Sequence, residues 1–210
     1  MNRVKVYETS AGLASIKEPD TELVIWQRSL PSDLQNWINQ TDAACLPDVR
    51  ILIKPDEFRP ALEPLLERCG LRAGDMRSRL VADIHGLVIA FAEITRRDYV
   101  DVRLERVSQD ACWKFHRDIV ETRLVTTYRG PATEWVRPVH AEQAIQEQRE
   151  YNGPLECLGG GNVAIFKGSY VSPNRGIVHR SPPIAGTNLI RLLLCLNQWT
   201  RASPDPWIEA

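Results

Sequence analysis

Phe115-His116-Arg117-Asp118 is a His-X-Asp tripeptide set in a run that reads as β-strand. Side chains alternate with period two on an extended segment, so His116 and Asp118 point to the same side of the chain. A second histidine, His179, follows in another strand-like region, Gly176-Ile177-Val178-His179-Arg180-Ser181-Pro182-Pro183. Before it, Val163-Ala164-Ile165-Phe166-Lys167-Gly168 reads as a strand ending in a glycine turn. After it, Asn188-Leu189-Ile190-Arg191-Leu192-Leu193-Leu194-Cys195-Leu196 reads as another strand. A lone arginine buried in so apolar a run requires an anionic partner. The planar guanidinium of Arg191 suits bidentate capture of a carboxylate.

Two imidazoles and one carboxylate on one face of the metal, with the other face open, are the ligand set of non-haem Fe(II) oxygenases. His116, Asp118 and His179 can close on one metal in this way. The order His-X-Asp, distal His, basic residue resembles the Fe(II)/2-oxoglutarate-dependent oxygenases over roughly residues 99 to 200. The similarity extends to Thr127-Tyr128-Arg129-Gly130-Pro131-Ala132-Thr133-Glu134-Trp135 and to Phe166-Lys167-Gly168. The resemblance implies a double-stranded β-helix (a cupin-like jelly roll) holding Fe(II) on His116, Asp118 and His179. It implies that Arg191 binds the distal carboxylate of 2-oxoglutarate. It implies a dioxygenase that hydroxylates a small molecule or a protein side chain while the co-substrate is oxidatively decarboxylated. The wording from Arg103-Leu104-Glu105-Arg106-Val107 through Lys114-Phe115-His116 and Thr127-Tyr128-Arg129-Gly130-Pro131 to Val178-His179-Arg180-Ser181-Pro182-Pro183 is also similar to an uncharacterised bacterial family, domain of unknown function 1826. That similarity covers nearly the whole chain and supplies no activity.

Imidazole and carboxylate do not select iron by affinity. The same ligands therefore suit a cupin-like protein that binds zinc or another divalent metal for homeostasis, sensing or isomerase chemistry. A relic fold serving only as an interaction module is a third class. Alternation along Thr122 to Tyr128 sets Arg123, Val125 and Thr127 on one face and Leu124, Thr126 and Tyr128 on the other; one face lines the pocket. Tyr128 is a candidate to hydrogen-bond a co-substrate carboxylate, against a role in core packing. Arg123 is a candidate to bind the co-substrate or an acidic substrate, against a structural ion pair. His140 rivals the other histidines as a ligand, but a polar run, Ala141 to Tyr151, follows it and reads as a helix or a lid. His85 lies inside a helical pattern and reads as a packing or surface histidine. Arg129, Arg137, Arg175 and Arg180 form either a basic rim favouring an acidic substrate or a solvated loop surface.

The 210 residues suffice for one large domain or a core with an added cap. With 26 Lys and Arg against 27 Asp and Glu, the formal charge is −1. No whole-chain attraction to nucleic acid or membrane follows, and neither partner is expected. Residues 1–8 lack the apolar core of a signal peptide. The longest apolar candidate, Leu80 to Ile94, is interrupted by Asp83, His85 and Glu93, so a cytoplasmic protein is expected. The five cysteines are odd in number and scattered, which argues for reduced thiols. Cys195 shares the face of Arg191 on a regular strand and is expected to line the interior.

Residues 1 to 20 show no periodicity and read as a loose arm. Leu23 to Trp26 reads as a short strand. Pro31 to Ile38 opens a helix with Ser32 as N-cap. Val49 to Ile53 is either a strand or the approach to a helix. Phe58 to Cys69 reads as a helix stopped by Gly70, with Pro60 and Pro64 confining its first turns. The strongest helix runs from Asp75 to Thr95. Gly159-Gly160-Gly161 lacks the Lys-Ser/Thr of a nucleotide loop and reads as a tight turn. The expected class is α+β in a single domain, 1–210. Residues 1–98 are mainly helical and pack against a jelly-roll core in the C-terminal half, 99–200. A tail, 201–210, is mobile from Ser203 onward.

Overall fold

Leu80, Ile84, Leu87, Val88 and Phe91 recur at helical spacing and form the buried stripe of a helix from Asp75 to Thr95. Everything else is arranged about the sheet that this stripe covers. The computed structural model describes residues 3–170 and 175–208. The first two residues of the expected arm and the last two of the expected tail lie outside them.

The elements run β1 (Val4–Tyr7), β2 (Leu23–Trp26), α1 (Ser32–Gln40), β3 (Val49–Ile53), α2 (Phe58–Arg68), α3 (Asp75–Thr95), β4 (Val100–Val107) and β5 (Thr122–Arg129). Then follow β6 (Glu134–Trp135), α4 (Ala141–Glu147), β7 (Glu156–Cys157), β8 (Val163–Lys167), β9 (His179–Arg180) and β10 (Arg191–Gln198). Seven strands form one sheet in the order β1-β2-β8-β5-β10-β4-β3, and three form a second, β7-β6-β9. Among the described residues every strand pairing is antiparallel except β1 with β2.

Alternation sorts the large sheet into two faces. Val102, Leu104, Leu124, Tyr128, Ile165, Leu192, Leu194 and Leu196 pack with the helices in the main core. Leu23, Ile25, Val125, Ala164, Phe166 and Cys195 turn the other way, against Trp135, Leu158 and Ile177 from the region of the small sheet. The helices therefore cover the outer face of the large sheet, and the small sheet faces the inner one.

Several expectations need correction. The arm is structured: Leu13 and Ile16 of the 3-10 segment Ser10–Lys17 are buried, and β1 pairs with β2. The division at residue 98 does not describe the sheet, because β1, β2 and β3 belong to it. The tail is docked as far as Trp207, whose N–H donates to the Leu52 carbonyl at 2.8 Å. The cap of α1 is Pro31, with Ser32 already helical. Pro64 lies inside α2 and does not break it. Gly70 ends that helix in the left-handed region, at φ 79°, a conformation glycine adopts without steric cost. Val49–Ile53 resolves as a strand, and Ala141–Glu147 as a helix.

Candidate metal centre

Phe115–Asp118 is not part of a named strand. His116 makes a single antiparallel bridge to His179 at the start of β9. The two residues exchange main-chain hydrogen bonds, His116 N–H to His179 O at 3.0 Å and His179 N–H to His116 O at 3.1 Å. Directly paired residues project their side chains to the same face. The ring centroids accordingly lie 4.6 Å apart, and the Phe166 ring packs on His179, also at 4.6 Å. Phe115 is clamped from outside by Gln148, whose side-chain amide accepts from Phe115 N–H at 2.8 Å and donates to Phe115 O at 3.0 Å. Gln148 holds a left-handed φ of 54° to do so. The stretch after His140 is thus docked beside His116 through α4 and the turn that follows it.

Asp118 leaves this bridge and enters a loop. Its carbonyl accepts from Ser169 N–H at 2.8 Å and from Ser169 Oγ at 3.0 Å. Gly168 makes that approach possible, since a Cβ there would stand 2.0 Å from Val120 O and 2.7 Å from Asp118 O. The donor atoms of His116, Asp118 and His179 all lie within 4.8 Å of one another. Among the described residues they are the only such cluster.

Hydrogen bonding commits one nitrogen of each ring. His116 Nδ1 is 2.7 Å from Lys114 O, and His179 Nδ1 is 3.0 Å from Ile177 O. A carbonyl only accepts, so Nδ1 carries the proton and the neutral ring presents a lone pair at Nε2. Both Nε2 atoms face Asp118, at 3.7 Å for His116 and 3.3 Å for His179. Asp118 is 4% exposed, and its Oδ2 has no hydrogen-bond donor among the described residues. An orphaned buried carboxylate oxygen is costly unless a cation meets it. Burial pushes the Asp118 carboxyl up, but His179 and His116 in their protonated forms, together with Arg123, outweigh it and hold the group well below the usual carboxylate range. Burial pulls the His116 imidazole down, but Asp118 and the Lys114 carbonyl outweigh that and leave it raised.

Arg191 opens β10 and is 1% exposed. Its Nε donates to Pro131 O at 2.7 Å, while Nη2 is buried with no partner among the described residues. Gly130, at φ 80°, lets the turn close on it: a Cβ there would lie 2.6 Å from Ile190 O and 3.1 Å from Arg191 Cγ. Burial pushes the guanidinium down to about 10, with Cys112, Glu134 and Glu105 nearby offsetting only part of the shift. Alternation sets Arg191 on the same inward face of β10 as Cys195 and Asn197. Cys195 is buried there as expected, and burial raises its thiol to about 11.

Two residues expected to contact the co-substrate or an acidic substrate are otherwise engaged. Tyr128 is in the main core on the helix side and donates to Asp83 Oδ2 at 2.6 Å, beside the Arg28–Asp83 ion pair. Its parity on β5 is opposite to that of Val125 and Arg123, so it faces away from the His116–Asp118–His179 cluster. Arg123 does face them, but its Nη1 is held by Asp118 Oδ1 and its Nε donates to Asn197 Oδ1 at 2.7 Å. Three of the four rim arginines are paired with carboxylates, Arg137 with Glu156, Arg175 with Glu22 and Arg180 with Glu134, while Arg129 keeps its charge and donates to Thr41 O. His140 lies in a turn outside the cluster. His85 stacks on Phe58 and sits 2.8 Å from Pro55 O, a packing role. Sequence reading missed Gln148, Ser169 and Asn197. Only the positions of Gly130-Pro131 and Gly168 beside the site strands signalled the backbone approaches.

The site is a two-histidine, one-carboxylate cluster able to hold a divalent metal, with Asp118 and His179 buried and His116 half-buried. The chain belongs to the family described as "Protein of unknown function (DUF1826)", which matches residues 8–197. No curated protein matches it. Among solved structures it is similar to a Pseudomonas putida prolyl-4-hydroxylase, at 12% identity and TM-score 0.46, covering 93% of this chain and 96% of that one. It is also similar to AviO1 from Streptomyces viridochromogenes, at 10% identity and TM-score 0.38, covering 94% and 97%. A third is the Kdo hydroxylase KdoO, described as a non-heme Fe(II) alphaketoglutarate dependent dioxygenase, at 11% identity and TM-score 0.37, covering 89% and 80%. No helix of the described residues is long and apolar enough to cross a membrane.

Proposed function

We propose that this protein is an Fe(II)- and 2-oxoglutarate-dependent oxygenase built on a reduced jelly roll, acting on a small molecule or a protein side chain. The observation that carries the reading is the buried, partnerless Asp118 Oδ2, flanked by two imidazoles whose Nδ1 atoms are already committed. These atoms fit a divalent cation and leave it an open face. His116 and His179 would hold it through Nε2, and Asp118 through Oδ2. Bound iron supplies a redox-active centre with positions for co-substrate and oxygen.

The protein's own groups do the rest. Arg191 offers a desolvated guanidinium with Nη2 unsatisfied, the complement of a carboxylate in a low-dielectric site. Its Pro131 contact fixes the direction of the fork before any ligand binds. Phe166 packs against His179 and fixes the plane of that ring. With Arg137, Arg175 and Arg180 paired to carboxylates, the rim gives little support to an acidic substrate. The reading is tested by anaerobic titration of the protein with Fe(II) and then 2-oxoglutarate. One equivalent of metal, a weak visible charge-transfer band and slow turnover of 2-oxoglutarate are expected. Tight zinc binding with no band and no turnover would favour a metal-binding module instead.

A further inference from the structure

We propose that Arg123 is the positioning residue of the metal centre, aiming Asp118 at the metal and restricting its carboxylate to coordination through Oδ2. The inference rests on the metal reading above. Arg123 Nη1 holds Asp118 Oδ1, whereas Oδ2 has no donor and is the atom 3.3 Å from His179 Nε2. The two carboxylate oxygens are therefore inequivalent before a metal arrives.

Arg123 is itself pinned from a second side. Its Nε donates to Asn197 Oδ1 at 2.7 Å, and Arg123 and Asn197 are directly opposed in the β5–β10 register. Asn197 is 5% exposed, so the brace belongs to the inner face of the sheet rather than to solvent. Asp118, by contrast, sits on a loop anchored through its main-chain carbonyl to Ser169. That anchor leaves the side-chain torsions free. Arg123 is the group that connects the loop carboxylate to the rigid sheet.

The consequence is a count of coordination positions. A carboxylate with both oxygens free can chelate a divalent cation and take two positions. With Oδ1 engaged by a guanidinium, Asp118 supplies one donor, and two histidines plus one oxygen leave the opposite face of the metal open. A two-toothed co-substrate and oxygen need that face. A bystander ion pair would require neither the second tether to Asn197 nor the orphaned Oδ2.

The test uses Co(II) as probe on the full chain, read by visible d–d absorption and by affinity, with melting curves of each metal-free protein. Wild type is expected to bind one Co(II). Arg123→Met is expected to show weaker bands, as the freed carboxylate chelates and coordination number rises. Its Co(II) affinity should drop about 10- to 100-fold, the usual cost of losing a partner that orients a ligand. Asn197→Ala, which loosens the brace and leaves Arg123 in place, should shift the spectrum the same way by less. Arg123→Lys should restore part of the wild-type spectrum. If Arg123→Met fails to fold, Asn197→Ala decides alone. A folded variant with wild-type spectrum and affinity would reduce Arg123 to a structural ion pair and overturn the proposal. Wild-type protein that takes up no Co(II) would overturn the metal reading, and this inference with it.

Discussion

His116 and His179 exchange both of their main-chain hydrogen bonds, so one antiparallel bridge carries two of the three candidate metal ligands. The rings are brought together by backbone pairing, independent of any metal. His179→Ala should therefore fold and keep the bridge, since alanine supplies the same N–H and C=O. It should bind divalent metal more than about 100-fold more weakly, beyond the 10- to 100-fold typical of losing an outer hydrogen-bond partner. Calorimetric titration of Zn(II) into variant and wild type checks this; wild-type affinity would remove His179 from the site.

Gly168→Ala acts on Asp118 through the backbone. A Cβ placed 2.0 Å from Val120 O cannot be absorbed without moving the loop. Overpacking of this kind costs about 1–3 kcal/mol, so a lower thermal midpoint is expected. The displaced loop should carry Asp118 off the histidines, and metal uptake should fall with stability. Unchanged metal uptake in a destabilised variant would show that the loop moves without its carboxylate.

Arg191→Leu separates a ligand-binding arginine from a structural one. Among the described residues no carboxylate forms an ion pair with Arg191, and its Nη2 is orphaned. Removing it leaves no stranded acid, so the fold should keep or gain stability and metal affinity should stay. Affinity for 2-oxoglutarate should fall by about 2–5 kcal/mol, as when one partner of a buried charged contact is truncated. Thermal melting and a 2-oxoglutarate titration on this variant check both halves. A destabilised variant that binds 2-oxoglutarate normally would reassign Arg191 to the scaffold.

Tyr128→Phe should affect stability and leave the metal alone. The hydroxyl donates to Asp83 on the helix side of the sheet, and deleting a buried hydrogen bond that leaves its acceptor short costs about 1–3 kcal/mol. Burial, with Asp83 beside it, raises the Tyr128 phenol well above its ordinary 10.0. A folded-state value above the unfolded one adds stability that is complete below about pH 10. That stability is lost as pH climbs toward the folded value, because the unfolded chain ionises first. Denaturant melts from pH 8 to 11 should show the wild type losing this increment while Tyr128→Phe, lacking the group, declines less.

Local pattern determined much of this protein. The apolar spacing from Leu80 to Phe91 specified α3, and the run Arg191 to Leu196 specified β10 with its inward arginine. The order His116, Asp118, His179 named the three candidate ligands, because residue chemistry and spacing are read along the chain, although the strand expected at His116 is a single bridge. Only the tertiary structure decided what depends on partners far away in sequence. Which face of β5 meets the ligands is set by pairing with β8 and β10, and period two makes that choice absolute: Arg123 looks in and Tyr128 looks out. Likewise the strand character of Leu23 to Trp26 was legible locally, but the places of β1, β2 and β3 in the large sheet are set by their partners β2, β8 and β4. The His116 segment joins no strand and is placed by His179 on one side and the Gln148 amide on the other. Asp118 is aimed by Arg123 and anchored by Ser169, contacts that exist only once the sheet has closed.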